Sequence, residues 1–257
     1  MSRISTALTD DAVLGGRLRL KQPAKGHRFG HDAILLAAAC PAHAGEQVVD
    51  LGAGVGVAGL ALAARVEGCG VTLVEIEPTL AALAAENAQR NGLAARVRAV
   101  VLDTTAPARA FAAEGLQPES VARVLMNPPF NNPVGQRGSP NDSRRVAHVA
   151  TAATLAAWIR TAARLLRPRG TVSLIWRADG TAEVLAALTP LFGGLMLLPL
   201  HAKPDAPAIR ILVRATKGSR APLELLPGLV LADRSGNATA EAEEVLRSGS
   251  GLPLAEI

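Results

Sequence analysis

From about residue 46 onward, short β-branched runs alternate with longer runs rich in Ala and Leu. A strand buried on both faces reads as an unbroken apolar run, whereas a helix needs ten or more residues with one apolar stripe. The short runs predict strands over Gln47–Leu51, Gly70–Glu75, Arg96–Leu102, Val121–Met126, Thr171–Trp176, Leu195–Leu200 and Ile209–Ala215. The longer runs predict helices over Val57–Val66, Thr79–Asn91, Ala106–Glu114, Thr154–Leu166 and Ala182–Leu191. End signals agree: Pro78 opens one helix, Asn91-Gly92 closes it, and Pro168 with Gly170 closes another. This alternation implies an α/β fold, a seven-stranded, mostly parallel sheet with helices on both faces. No helical run separates the last two strands, only the proline-bearing segment His201–Ala208, so the last strand is expected antiparallel to its neighbours.

The sheet domain is thus expected over 46–215. Residues 1–45 form a lead segment with a possible hairpin around Leu18–Phe29 and an apolar helix over Ala33–Ala39. Residues 216–257 form a Pro/Gly-punctuated tail with one acidic helix, Ala240–Arg247.

Composition narrows the class. With 257 residues, 49% hydrophobic and 19% charged, the chain can bury a large core, which excludes disorder as its main state. The uncharged stretch Val184–Ala202 is broken by Pro190, Gly193-Gly194 and Pro199, and so is not one membrane-spanning helix. Cys40 and Cys69 make neither a disulfide framework nor a metal cluster, and the start shows no secretory leader pattern; a reducing cytoplasm is expected. The net charge is +5, and only Lys21, Lys25, Lys203 and Lys217 of the basic residues are lysines. Guanidinium groups pair bidentately with phosphate, which fits nucleic acid before a membrane surface. A composition that simply favours Arg and Ala produces the same excess, so charge alone leaves the partner open.

In open α/β sheets ligands sit at the carboxyl ends of the strands. The first four ends are Asp50, Glu75, Asp103 and Asn127, spaced 25, 28 and 24 residues apart. The first continues Asp50-Leu51-Gly52-Ala53-Gly54-Val55-Gly56 into a helix. Glycines at alternate positions allow positive φ and bring a ligand close to the backbone, and the helix start offers unpaired N–H groups. Gly54, Gly56 and Gly59 also spell the dinucleotide pattern G-x-G-x-x-G. An acid two residues before the first glycine would repel pyrophosphate but favour an ammonium or sulfonium, which points to S-adenosylmethionine (SAM) over NAD. Glu75 can accept from both ribose hydroxyls, at about 1.5–3 kcal/mol per charge-assisted bond. Glu77 reads as a charge of the first helical turn. Asp103 can accept from an adenine amino group or cap the following helix.

The fourth end, Asn127-Pro128-Pro129-Phe130, is the most specific. An exocyclic or amide nitrogen is a poor nucleophile with a delocalised lone pair, so its geometry must be imposed. The Asn127 amide oxygen and the Pro128 carbonyl can accept the two N–H bonds of an NH₂ group and steer its lone pair toward an electrophilic methyl. The prolines stiffen the backbone and offer no competing N–H. Phe130 offers a stacking face for a planar target. The alternative is a plain Asn-Pro turn.

Asn-Pro-Pro-Phe preceded by Asp50–Gly56, Glu75 and Asp103 resembles the class I SAM-dependent methyltransferases that act on planar NH₂ groups. Arg28-Phe29-Gly30-His31-Asp32-Ala33-Ile34-Leu35-Leu36-Ala37 is similar to the lead segment of bacterial enzymes that methylate adenine N6 beside the valine tRNA anticodon. The likeness covers about residues 15–215, and Leu226–Leu246 is similar to members of the broader group. It implies a Rossmann-like sheet and SAM as cofactor, with RNA, foremost tRNA, as substrate. It suggests that Phe29 and Asp32 close over the cofactor, with helix capping the alternative for Asp32. Several relatives have Tyr where Phe130 stands, and this chain has no tyrosine, so any phenol role is lost.

Asn131, Asn132 and the polar loop to Arg145 hold Arg137, Arg144 and Arg145, where phosphate contact and a solvated loop are both open readings. His148 reads as a polar residue at a helix start, and His27, His31, His43 and His201 show no metal spacing. Trp158 and Trp176 read as core. No metal is required, since the methyl passes directly to the amine. Guanine N2 of ribosomal RNA and a glutamine amide in a protein remain alternatives within the same chemistry. A nucleotide-binding oxidoreductase is the alternative outside it.

Overall fold

The computed structural model describes residues 7–24, 30–129 and 142–256, with backbone alone over 142–152. It opens on a ribbon of β1 (Leu8–Val13) and β2 (Leu18–Pro23), followed by α1 (His31–Ala38). Then come β3 (Gln47–Leu51), α2 (Val57–Arg65), β4 (Gly70–Glu75), α3 (Pro78–Arg90), β5 (Val97–Val101), α4 (Ala108–Ala113) and β6 (Val121–Met126). After them run α5 (Asp142–Leu165), β7 (Leu166–Arg177), α6 (Thr181–Leu188), β8 (Phe192–His201) and β9 (Ala208–Lys217). The last segment adds β10 (Glu224–Leu225), β11 (Leu229–Val230) and α7 (Ala240–Glu243).

The sheet order is β5-β4-β3-β6-β7-β9-β8, with β10 and β11 both parallel to β8. Strands β3 to β7 pair parallel, and β9 runs antiparallel to both β7 and β8, as its helix-free connection requires. The order reverses between β3 and β6, and a crevice opens at such a reversal beyond the carboxyl ends of the strands.

Two cores flank the sheet. One packs Leu35, Leu36, Leu60 and Leu62 of α1 and α2 against Leu73 of β4, and takes in Val245, Leu252 and Leu254 from the end of the chain. The other packs Phe111, Leu155, Trp158 and Ile159 against Val124, Leu174 and Trp176. Among the described residues no helix is long and apolar enough to cross a membrane.

Three expectations are corrected. The hairpin pairs 8–13 with 18–23 rather than lying over Leu18–Phe29, because Leu14, Gly15 and Gly16 take positive φ and make the turn earlier. Residues 25–29, including Phe29, lie outside the described residues. Helix α5 begins at Asp142, not Thr154. The tail is no appendage: it adds two strands to the sheet edge, Leu252 N–H donates to the Ala38 carbonyl at 2.8 Å, and Arg214 donates to the Leu254 carbonyl at 2.7 Å.

Candidate active site

Register explains why the acids at the strand ends differ in depth. Leu51 lies opposite Val74 on one side and Met126 on the other, and Glu75 lies opposite Val101. One step further along, Asn127, Gly52, Glu75 and Val101 therefore form one row across four adjacent strand ends. At ~4.8 Å per strand the row spans about 14 Å, the reach of an extended nucleoside with an amino-acid arm. Asp50 lies two residues deeper than Gly52, opposite Leu73 and Leu125, and is only 2% exposed.

The loop after β3 folds back on β4. The amides of Gly52 and Ala53 both donate to the Val74 carbonyl at 2.9 Å, and Gly56 N–H donates to the Ala53 carbonyl at 2.8 Å. Gly52, Gly54 and Gly56 take φ of 70°, 57° and 90°, so each sits where a side chain is strained. Their surroundings differ. A Cβ on Gly52 would overlap the Trp158 ring, and one on Gly56 would come within 2.9 Å of Leu73, whereas one on Gly54 would meet nothing within 4 Å among the described residues. Two glycines are thus required by packing, and Gly54 presents bare backbone to open space. Trp158, read as core from its sequence, is also the floor under Gly52.

Asp50 Oδ2 accepts from Gly59 N–H at 2.9 Å, which ties α2 to the end of β3. Burial pushes its carboxyl up to about 7; the Gly59 bond opposes the rise and the nearby Glu75 charge adds to it. A Cβ on Gly59 would overlap Leu73 and come within 3.2 Å of Asp50 Oδ2. Gly59 therefore serves packing and the Asp50 bond.

Glu75 sits in a backbone cradle. Its Oε2 accepts from Gly54 N–H at 2.8 Å and its Oε1 from Glu77 N–H at 2.9 Å. Each oxygen keeps a second acceptor position for a hydroxyl. Glu77 is the N-cap residue of α3 by backbone conformation, without a side-chain capping bond. Ile76, which the sequence reading passed over, is 61% exposed beside this carboxylate and offers an apolar face to a planar ring.

Asp103 is exposed in the loop after β5, and its Oδ1 accepts from Thr105 N–H at 2.7 Å and Thr105 Oγ1 at 2.8 Å. The N-cap of α4 is Pro107, so Asp103 does not cap that helix. The loop is fastened to α5, where Thr161 Oγ1 donates to the Thr104 carbonyl at 2.9 Å and Arg164 Nη2 to the Ala106 carbonyl at 3.0 Å. Those two α5 residues also escaped the sequence reading.

Asn127 is half-buried, Pro128 buried and Pro129 exposed, directly after β6. Phe130, Asn131, Asn132 and Arg137 lie outside the described residues, as do the side chains of Arg144, Arg145 and His148 at the start of α5. Asp32 stands in the first turn of α1, whose N-cap is Gly30, and its Oδ2 accepts from Arg210 Nε of β9 at 3.0 Å. Arg210 lies opposite Arg177 at the end of β7, so Asp32 belongs to the same end of the sheet as the site. Among the described residues no group of three His, Cys, Asp or Glu is placed to hold a metal ion.

A glycine loop bare at Gly54, a cradled acid at the end of β4 and a reversal beside Asn-Pro-Pro agree with the class of SAM-dependent methyltransferases. The family model of the methyltransferase small domain matches residues 28–199, and the chain belongs to that family. It is similar to the tRNA1(Val) (adenine(37)-N6)-methyltransferase of Bacteroides fragilis, 27% identical over 193 residues, or 74% of this chain and 77% of the relative. A solved structure of a protein described as a predicted O-methyltransferase from Agrobacterium tumefaciens superposes with a TM-score of 0.73 at 32% identity, covering 86% of this chain and 98% of that one. The T. thermophilus 16S rRNA N2 G1207 methyltransferase, solved with AdoMet and guanosine, shares the fold at a TM-score of 0.54 and 21% identity, over 82% of this chain and 50% of its own. The cofactor is S-adenosylmethionine. The overlapping G-x-G-x-x-G is not a dinucleotide signature here, and the oxidoreductase alternative is overturned by the family match.

Proposed function

We propose that this protein transfers a methyl group from SAM to an exocyclic amine of RNA, adenine N6 in tRNA. The observation that carries the reading is Asn127, the first residue of Asn-Pro-Pro, standing in one row with Gly52 and Glu75, beside relatives named for adenine N6 of a tRNA. When bound, SAM supplies an electrophilic methyl on a sulfonium.

The chain's own residues divide the remaining work. Gly54 leaves space for the cofactor against the loop backbone, Glu75 accepts from the ribose hydroxyls, Ile76 lies against the adenine ring, and Asp103 accepts from the adenine amino group. Asp50 shapes the loop through Gly59. Asn127 and Pro128 accept the two N–H bonds of the target amine and hold its lone pair in line, so that no base need act before transfer. Phe130 stacks on the target base, which must be unpaired or flipped out, and Phe29, Asp32, Arg137, Arg144 and Arg145 contribute to closing the site and to phosphate contact. A hydroxyl acceptor, as in the Agrobacterium relative's description, would need its proton removed, and Asn127, Pro128 and Pro129 include no base.

The test is nucleoside mass spectrometry of RNA from cells with and without the protein, with methyl transfer from labelled SAM to tRNA isolated from the deficient cells. N6-methyladenosine present only with the protein is the expected result. Loss of N2-methylguanosine instead would move the target to guanine, and label in protein alone would overturn the RNA reading.

A further inference from the structure

Among the described residues, the outer edge of β2 pairs with no strand. Its backbone groups are taken instead by two asparagines of α3. Asn91 Oδ1 accepts from Arg19 N–H at 2.9 Å and Asn91 Nδ2 donates to the Arg19 carbonyl at 2.9 Å. Asn87 does the same one helical turn earlier, accepting from Lys21 N–H at 2.8 Å and donating to the Lys21 carbonyl at 3.0 Å. The spacings match: two strand residues advance about 6.6 Å and four helical residues about 6 Å. Two carboxamides one turn apart thus mimic a neighbouring strand.

Asn87 has one more bond. The second hydrogen of its Nδ2 goes to the Val55 carbonyl at 3.0 Å, inside the glycine loop. The same peptide unit is held at its other pole, where Gly56 N–H donates to the Ala53 carbonyl at 2.8 Å. Asn87 is fully buried, so in the intact protein no bulk water competes with it for the Val55 carbonyl. The Val55–Gly56 peptide plane next to the bare Gly54 is therefore fixed partly by a helix that also holds the amino-terminal ribbon.

We infer that Asn87 is a positioning residue for the cofactor loop and that, through it, cofactor binding and docking of the β1–β2 ribbon are coupled. This rests on the reading of the Gly52–Gly56 loop as the cofactor's cradle. Coupling is reciprocal: if the docked ribbon favours the binding-competent loop, the bound cofactor must favour the docked ribbon by the same factor.

Hydrogen exchange on the wild-type protein, with and without S-adenosylhomocysteine, tests this without any variant. Added ligand should slow exchange in peptides covering 52–59 and also in those covering 18–23. Protection at 52–59 with 18–23 unchanged would overturn the coupling while leaving the cradle intact; no protection at 52–59 would remove the cradle reading and the inference with it. Asn87→Ala should raise the KM for SAM about tenfold with kcat within about twofold, the scale of one buried hydrogen bond. Asn91→Ala, which loosens the same ribbon without touching Val55, should raise the KM by a smaller factor, the part that passes through ribbon docking alone. A KM increase in Asn91→Ala as large as that in Asn87→Ala would remove the direct hold on Val55 and leave Asn87 a ribbon clamp, and an unchanged KM in Asn87→Ala would overturn its positioning role.

Discussion

Asp50 and Gly59 meet at 2.9 Å beneath the glycine loop, a buried carboxylate bound to the amide of a residue that has no room for a side chain. That bond fixes how α2 leaves β3, and its acceptor is an acid held in a place that disfavours charge. The carboxyl is raised from 3.8 to about 7, chiefly by burial. A group whose folded pKa is raised contributes stability below its unfolded pKa and loses it as pH rises through the folded value. The cofactor-free protein should therefore lose stability between about pH 4 and pH 7 through this residue. Asn at 50 keeps an acceptor for Gly59 and has no charge to bury. In thermal unfolding from pH 5 to 8.5, Asp50→Asn should show a flatter profile than wild type, and parallel profiles would disprove the assignment.

The glycines should separate by what they face. Gly54→Ala strains φ at about 1–2 kcal/mol but meets no neighbour, so its main effect should be loss of S-adenosylhomocysteine affinity, more than tenfold, as the methyl fills the open face. Gly52→Ala adds overlap with Trp158 to the same strain and should lower stability by about 3 kcal/mol. Calorimetric binding and denaturant unfolding on both variants distinguish these outcomes; the reverse pattern would mean the ligand lies over Gly52.

The strands beneath this site were legible because burial on both faces leaves unbroken apolar runs: β3, β4 and β6 match the expected 47–51, 70–75 and 121–126. The ribbon was misplaced because β1, Leu-Thr-Asp-Asp-Ala-Val, carries no apolar alternation, and what docks β2 is a pair of asparagines on a distant helix. Asn87 left one trace, a poor helix former on the buried face otherwise made of Ala81, Leu83, Ala84 and Ala88. Trp158 looked like core and is core; its contact with Gly52 joins elements that no local pattern relates.

The Asp103 side chain is exposed and engaged through Oδ1 alone among the described residues, so its substitution should leave the fold in place. Asp103→Ala should weaken S-adenosylhomocysteine binding about tenfold, the scale of a hydrogen bond to a charged group, with unfolding changed by less than about 1 kcal/mol. Unchanged affinity would leave Asp103 the maker of the Thr105 turn and nothing more.

On the proposed reading, Asn127 differs from these residues because its partner is the substrate amine and not the cofactor. Asp50, Gly54, Glu75 and Asp103 lie on the β3–β4–β5 side of the row, while Asn127 directly follows β6, across the reversal in strand order. Removing one preorganised polar contact to a reacting group costs about 100-fold or more in turnover. Asn127→Ala should therefore lower kcat by that factor while S-adenosylhomocysteine affinity, measured calorimetrically, stays within about twofold of wild type. A matching loss of cofactor affinity would place Asn127 in the cofactor's own site, and the amine would then have to be oriented by other groups.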